Sequence, residues 1–128
     1  MGRYMEFKEA AKEYSFKGIS NEKYVGFLKD APQEYKDFLM EMGFGAVSDG
    51  YFMFYSGLIE ADEIYDAKEN PEIKNILLFG DKFSGDAMGF LTNEEWAIVE
   101  IWHEDLYICR RVEANFYEIV RKAFAMEL

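Results

Sequence analysis

Near the start of the chain the apolar positions recur at helical spacing: Tyr4, Phe7, Ala11 and Tyr14, with Glu6, Lys8, Glu9 and Lys12 between them. This pattern predicts an amphipathic helix, and Gly18 predicts its end. Ser20 or Asn21 can cap a second, short helix carrying Tyr24, Phe27 and Leu28, since a side-chain oxygen there accepts from a free N–H of the first turn. Pro32 opens a third helix, where its missing N–H would have no intrahelical partner anyway. Tyr35, Phe38, Leu39 and Met42 form the apolar stripe of that helix, and Gly43 or Gly45 stops it.

The pattern then becomes extended. Tyr51-Phe52-Met53-Phe54-Tyr55 is aromatic-rich and bounded by Gly50 and Gly57, as a strand should be. Ile59 to Asp66 reads as a short acidic helix, and Pro71 interrupts the chain. Asn75 to Phe79 is apolar on both faces and reads as a central strand. Gly80 to Asp86 is a turn-rich loop, Ala87 to Leu91 a third strand, and Thr92-Asn93-Glu94-Glu95 a polar turn. Trp96 to Trp102 is a fourth strand, again apolar on both faces apart from Glu100. From Val112 the tail is helical, with Val112, Phe116, Ile119, Val120 and Phe124 on one stripe. Arg121 and Lys122 lie near its C-terminus, where they complement the dipole.

Helices, then closely linked strands, then one helix predict an α+β fold. N-terminal helices and one C-terminal helix pack on a mostly antiparallel sheet of about four to six strands. The links between strands are too short for repeated parallel crossovers. A length of 128 residues fits one domain, 1–128, and no repeat or linker divides it.

Composition narrows the class. Half the residues are hydrophobic, with 12 Phe, nine Tyr and two Trp, which is too apolar for disorder. No apolar run reaches the length of a membrane span, and the mixed start of the chain is not a secretory signal. The single cysteine, Cys109, cannot form an internal disulfide and is expected as a partly buried thiol in a reducing cytoplasm. Lys plus Arg is 14 and Asp plus Glu is 25, so the net charge is −11. Such a field repels nucleic acid and anionic lipid and attracts basic partners. Between Glu60 and Glu72 six acids (Glu60, Asp62, Glu63, Asp66, Glu69, Glu72) face one base, Lys68, a local charge of −5.

Catalytic chemistry finds little support. The one histidine, His103, could pair with Glu104 or Asp105 as a general base, but no nucleophile accompanies it and the constellation is incomplete. One His and one Cys fall short of a zinc ligand set. Asp62-Glu63 and the stretch from Asp81 to Asp86 lack the alternating acids and central glycine of a calcium loop. With 25 acids a glycosidase-like carboxylate pair can always be picked, so that signal is empty. Gly80-Asp81-Lys82-Phe83-Ser84-Gly85-Asp86 lacks the Gly-Lys-Ser/Thr ending of a phosphate-binding loop, and its aspartates would repel phosphate. Neither an enzyme nor a cofactor is expected. Among the aromatics, Tyr51, Tyr55 and Tyr65 flank or enter the acidic stretch, and tyrosine suits protein interfaces.

Four local patterns occur in order. They are Ala31-Pro32-Gln33-Glu34-Tyr35-Lys36-Asp37-Phe38-Leu39 with Gly43-Phe44-Gly45; Tyr51-Phe52-Met53-Phe54 leading to Leu58-Ile59; Leu77-Leu78-Phe79-Gly80-Asp81 with Gly85-Asp86 and Gly89-Phe90; and Ala114-Asn115-Phe116-Tyr117-Glu118-Ile119-Val120. Together they resemble the SUKH superfamily, the bacterial immunity proteins akin to the fungal Smi/Knr cell-wall regulators, over roughly Ile19 to Phe124. The chain departs from that family in having Ala31 before the proline, where Leu is usual, and in a shorter segment from Ile19 to Pro32.

The resemblance implies helices packed on one curved sheet. It also implies a cytoplasmic immunity protein that binds and neutralises a cognate polymorphic toxin, often a nuclease in this family. The net charge is compatible with occluding a basic nuclease surface. No catalytic residues transfer from the family, and Pro32, Tyr35, Phe38, Gly45, Gly80, Asp81, Gly85 and Asp86 are expected to be structural. Charge and aromatics place the expected partner surface at Tyr51, Tyr55, Glu60, Asp62, Glu63, Tyr65 and Asp66. The alternative purpose is a regulatory or scaffolding protein-binding module of the Smi/Knr type, with no nucleic acid or membrane as partner.

Overall fold

A computed structural model describes residues 2–18, 30–48 and 50–128. The N-terminal stripe folds as a 3-10 turn over Met5–Phe7 that runs into helix α1, Lys8–Glu13. The helix stops at Ser15 rather than at Gly18. Ser15 takes a φ of 61°, and the N–H groups of Ser15 and Phe16 donate back to the carbonyls of Lys12 and Ala11 at 3.0 and 2.9 Å. That crossed pair of bonds behind a left-handed residue terminates a helix. The expected helix with Tyr24, Phe27 and Leu28 lies outside the described residues. Helix α2, Gln33–Glu41, follows Pro32 as expected and buries Tyr35, Phe38 and Leu39. Gly43, at a φ of 83°, ends it, and its N–H donates to the Leu39 carbonyl at 3.1 Å.

Six strands follow: β1 Gly45–Val47, β2 Phe52–Glu60, β3 Ile76–Asp81, β4 Ala87–Leu91, β5 Ala97–Trp102 and β6 Tyr107–Arg110. They form one sheet in sequence order, with every neighbouring pair antiparallel. The fold is α+β with an open sheet whose two edges are β1 and β6.

Further boundaries differ from the sequence reading. Strand β2 does not end at Gly57 but continues to Glu60, because a register shift after Phe54 lets Ile59 and Glu60 pair with Leu78 and Leu77. The expected acidic helix from Ile59 therefore shrinks to a single 3-10 turn, Ala61–Glu63. Gly80 and Asp81 belong to β3 rather than to the loop. A Cβ on Gly80 would sit 2.2 Å from the Met53 carbonyl oxygen and 2.6 Å from the Phe52 ring, so only glycine admits this strand contact. At the C-terminus, helix α3 is Phe116–Phe124, and Val112 is 87% exposed instead of joining its stripe. Asn115 caps α3 by accepting from the Glu118 N–H at 3.0 Å.

Both faces of the sheet are covered. On one face Phe52, Phe54, Phe79, Met88 and Phe90 pack against Tyr35, Phe38 and Leu39 of α2 and Phe116, Ile119 and Val120 of α3. The N-terminal segment closes this layer through Phe7 and Phe16, on either side of α1, with their rings 5.4 and 5.7 Å from Phe124. On the other face Ile76, Leu78, Ala87, Val99 and Ile101 pack against Ala61, Ile73 and Leu106. The acidic segment between β2 and β3 is thus the second cover of the sheet, held by Ala61 and a 3-10 turn over Pro71–Asn75 that buries Ile73.

Phe116 has five aromatic neighbours within 6.2 Å: Tyr35, Phe38, Phe54, Phe79 and Phe90. Urea unfolding of F116A is expected to show a loss of about 4 kcal/mol. G80A is expected to cost about 2 kcal/mol or more through overpacking, while G18A, with nothing within 4 Å of its added Cβ, stays within about 0.5 kcal/mol of the parent.

Candidate functional site

The segment between β2 and β3 carries the acids as an anchored ridge. Glu60, Asp62, Glu63, Asp66, Glu69 and Glu72 are all exposed, and no ion pair involves any of them among the described residues. Ile64 stands among them at 51% exposure. Asp62, Tyr65, Asp66, Lys68, Pro71 and Lys74 line a shallow concavity there.

Tyr65 binds this ridge to the β3–β4 hairpin, and Tyr55 of β2 bonds the same hairpin. The Tyr55 hydroxyl donates to Asp81 Oδ2 at 2.6 Å, and the Tyr65 hydroxyl donates to the Gly85 carbonyl at 2.5 Å. Burial raises the pKa of both phenols, and the nearby Asp81 carboxylate adds to it. Tyr65 reaches about 12, so each phenol stays a neutral donor at neutral pH. Asp81 also accepts from the Phe83 N–H at 2.8 Å, shaping the turn. Asp86 Oδ1 lies 2.7 Å from His103 Nδ1 and accepts the His103 backbone N–H at 2.9 Å. Burial opposes ionisation of Asp86, but those contacts outweigh it and hold the carboxyl below its ordinary value. Gly85, at a φ of 105°, passes the ring so closely that a Cβ would meet His103 Cγ at 2.9 Å.

His103 therefore pairs with Asp86, not with Glu104 or Asp105. The pair is exposed, and among the described residues no hydroxyl or thiol hydrogen-bonds to the ring. Cys109 is half-buried on β6. No group of three or more His, Cys, Asp and Glu side chains suited to a metal occurs among the described residues, and no helix among them is long and apolar enough to cross a membrane.

Of the expected partner surface, the structure brings together Tyr55, Glu60, Asp62, Glu63, Tyr65 and Asp66. Tyr51 lies apart, packed against the helix-covered core, with its hydroxyl accepting the Leu128 N–H at 2.7 Å. The residues expected to be structural divide. Pro32, Tyr35, Phe38 and Gly45 support the helix side, where a Gly45 Cβ would press on Phe16 at 2.9 Å. Asp81 and Gly85 are joined to Tyr55 and Tyr65 through hydrogen bonds that no sequence spacing reveals, and Asp86 beside them bonds His103.

A charge network also escapes the sequence pattern. Glu100 is 4% exposed on the helix face of β5. It pairs with Lys82 at 3.0 Å and Arg111 at 2.9 Å. Arg111 continues to Glu113 at 3.0 Å, and Glu113 to Lys122 of α3 at 3.0 Å. The single acid in the apolar run from Trp96 to Trp102 was the available signal, because a buried charge demands partners. Beside this network a cleft of about 370 Å³ opens between the starts of α2, β5 and α3, with Glu34, Phe90, Glu95, Trp96 and Arg110 in its wall.

Burial alone would raise the pKa of Glu113, but Arg111 and Lys122 bring it from 4.5 down to about 2. A carboxyl held below its unfolded value stabilises the fold above that value, and this contribution disappears as pH falls through the folded one. Urea midpoints should therefore fall as pH drops from about 4.5 to about 2. E113Q should lose about 3 kcal/mol at pH 7 and show a flatter dependence across that window.

Comparison with known proteins finds no matching family model, no matching curated protein and no matching solved structure.

Proposed function

We propose that this chain is a protein-binding module that captures a basic partner, and that it serves as an immunity protein neutralising a cognate toxin. One observation carries the reading. Six exposed carboxylates sit on one anchored segment and none is paired with a cation among the described residues. Ala61 and Ile73 are fully buried beneath them, and Tyr65 ties them to the hairpin. A partner therefore meets acids already held in place, and less ordering is needed on binding. Unpaired charge of one sign steers a basic protein to its site and speeds the encounter. Exposed Ile64 adds an apolar contact inside the charged rim, the arrangement common in protein interfaces. The four sequence patterns that resemble the SUKH superfamily support the immunity role.

The reading is tested by retaining partners on the immobilised chain from its native cells at low and high salt, with identification by mass spectrometry. A basic toxin domain should be held at low salt, weaken at high salt and lose activity when bound. Substituting D62K and E63K together should lower affinity for that partner about tenfold or more and flatten the salt dependence. Unchanged affinity and salt slope in this variant would remove the ridge from the interface. Recovery of a host regulatory protein, with no toxin activity affected, would replace immunity by a regulatory role.

A further inference from the structure

The cleft between the starts of α2, β5 and α3 is separate from the acidic ridge, and its entrance is built on an unusual turn. Glu95 and Trp96 occupy the two central positions of a turn closed by the Ala97 N–H donating to the Glu94 carbonyl at 3.1 Å. Their φ angles are 56° and 58°. Consecutive left-handed residues in such a turn are ordinarily Asn, Asp or Gly, because a larger side chain crowds its own backbone there. A glutamate and a tryptophan hold these positions against that steric cost, and strain of this kind gathers where side chains are presented for use.

The turn puts both residues on the cleft. Trp96 is half-buried, with its ring 5.7 Å from Phe90. Glu95 is exposed and Glu34 half-exposed across the same cleft. The two arginines in the wall are neutralised: Arg110 pairs with Glu94 at 2.8 Å, and Arg111 is held between Glu100 and Glu113. Neither Glu34 nor Glu95 has a cation partner among the described residues. Among the described residues the uncompensated charge of the cleft is therefore negative, and the Trp96 indole stands in the same wall.

An aromatic face with adjacent carboxylates suits a guanidinium, which stacks on the ring and donates in a planar fork to the acids. We infer that this cleft receives an arginine side chain of the basic partner, stacked on Trp96 and paired with Glu34 and Glu95. This rests on the binding function proposed above and adds a second, specific contact to the general attraction of the ridge.

The test uses the full chain and a probe that needs no partner. Nα-acetyl-arginine amide is titrated while the two indole N–H signals are followed by NMR, with the lysine and glutamate amides as comparisons. The Trp96 signal should shift saturably with the arginine probe, with a dissociation constant of about 1 mM or more, and less with lysine. Trp102, which is 43% exposed and away from the cleft, should not saturate. E34Q and E95Q should each weaken binding of the probe about fivefold, while D62K with E63K leaves it unchanged.

E95G is a second variant, at a position whose left-handed backbone favours glycine. It removes the carboxylate and relieves the left-handed backbone, so its Tm should hold or rise by about 2 °C while the probe binds more weakly. Saturation of Trp96 by the glutamate amide instead would show an anion site at Arg110 and overturn the inference. The absence of any saturable shift, or unchanged binding in both E34Q and E95Q, would overturn it as well. The two proposals separate cleanly. A captured toxin that is insensitive to E34Q and E95Q but sensitive to the ridge variant sinks the cleft alone. Arginine binding at Trp96, lost in E34Q and E95Q, with a captured basic partner that is not a toxin sinks the immunity reading alone.

Discussion

The docking of one aromatic ring organises this molecule. Phe116 is the first residue of the last helix, and it enters a ring of Tyr35, Phe38, Phe54, Phe79 and Phe90 drawn from α2 and three strands. A sheet face of phenylalanines has no solvated alternative, so the helices must cover it. Edge-to-face contacts at 5.0 to 5.4 Å with Phe79, Tyr35 and Phe38 fix the approach of the helix as well as favouring it. Asn115 caps that helix and Glu113 ties the preceding loop to Arg111 and Lys122. The position of α3 in turn bounds the cleft beside Trp96.

Charge is divided between the interior and the surface by the same packing. Lys82, Arg111 and Lys122 are drawn toward Glu100 and Glu113, because burying those carboxylates without cations would cost several kcal/mol. With 14 bases against 25 acids, cations held there are withheld from the exposed acids. Among the described residues no cation pairs with the acids of the ridge over the second sheet face. The ridge backbone is fixed by burial of Ala61 and Ile73, so the negative field has a defined shape.

The expected elements were most legible where local chemistry and tertiary demand agree. Ala87 to Leu91 is a strand with the expected bounds, and the stripe of Tyr35, Phe38 and Leu39 is buried on α2. Legibility failed where a partner elsewhere decided the outcome. Gly57 looks like a strand end, but pairing with Leu77 and Leu78 carries β2 past it. Val112 fits a helical stripe, but the chain from 111 to 115 is not helical, and there Arg111 and Glu113 pair with each other and with Glu100 and Lys122. Strands β1 and β6, of three and four residues, are too short to show a period of their own. Glu60, Asp62, Glu63 and Asp66 were visible as a cluster because they are contiguous. Asp81 and Gly85 joined Tyr55 and Tyr65 only through bonds spanning 26 and 20 residues, and Asp86 joined His103 across 17.

The sequence by itself determined the α+β class, the negative charge, the acidic stretch and the apolar faces of α2 and α3. Each of these is written in composition or in a period of two or 3.6 residues. Only the tertiary structure decided that the acidic stretch lies across the second face of the sheet, that His103 meets Asp86, that Glu100 is buried with its cations, and that Trp96 borders a cleft with Glu34. Those relations join residues far apart in the chain, and the physical reason is that packing and charge pairing act on distance in space, which local periodicity does not encode.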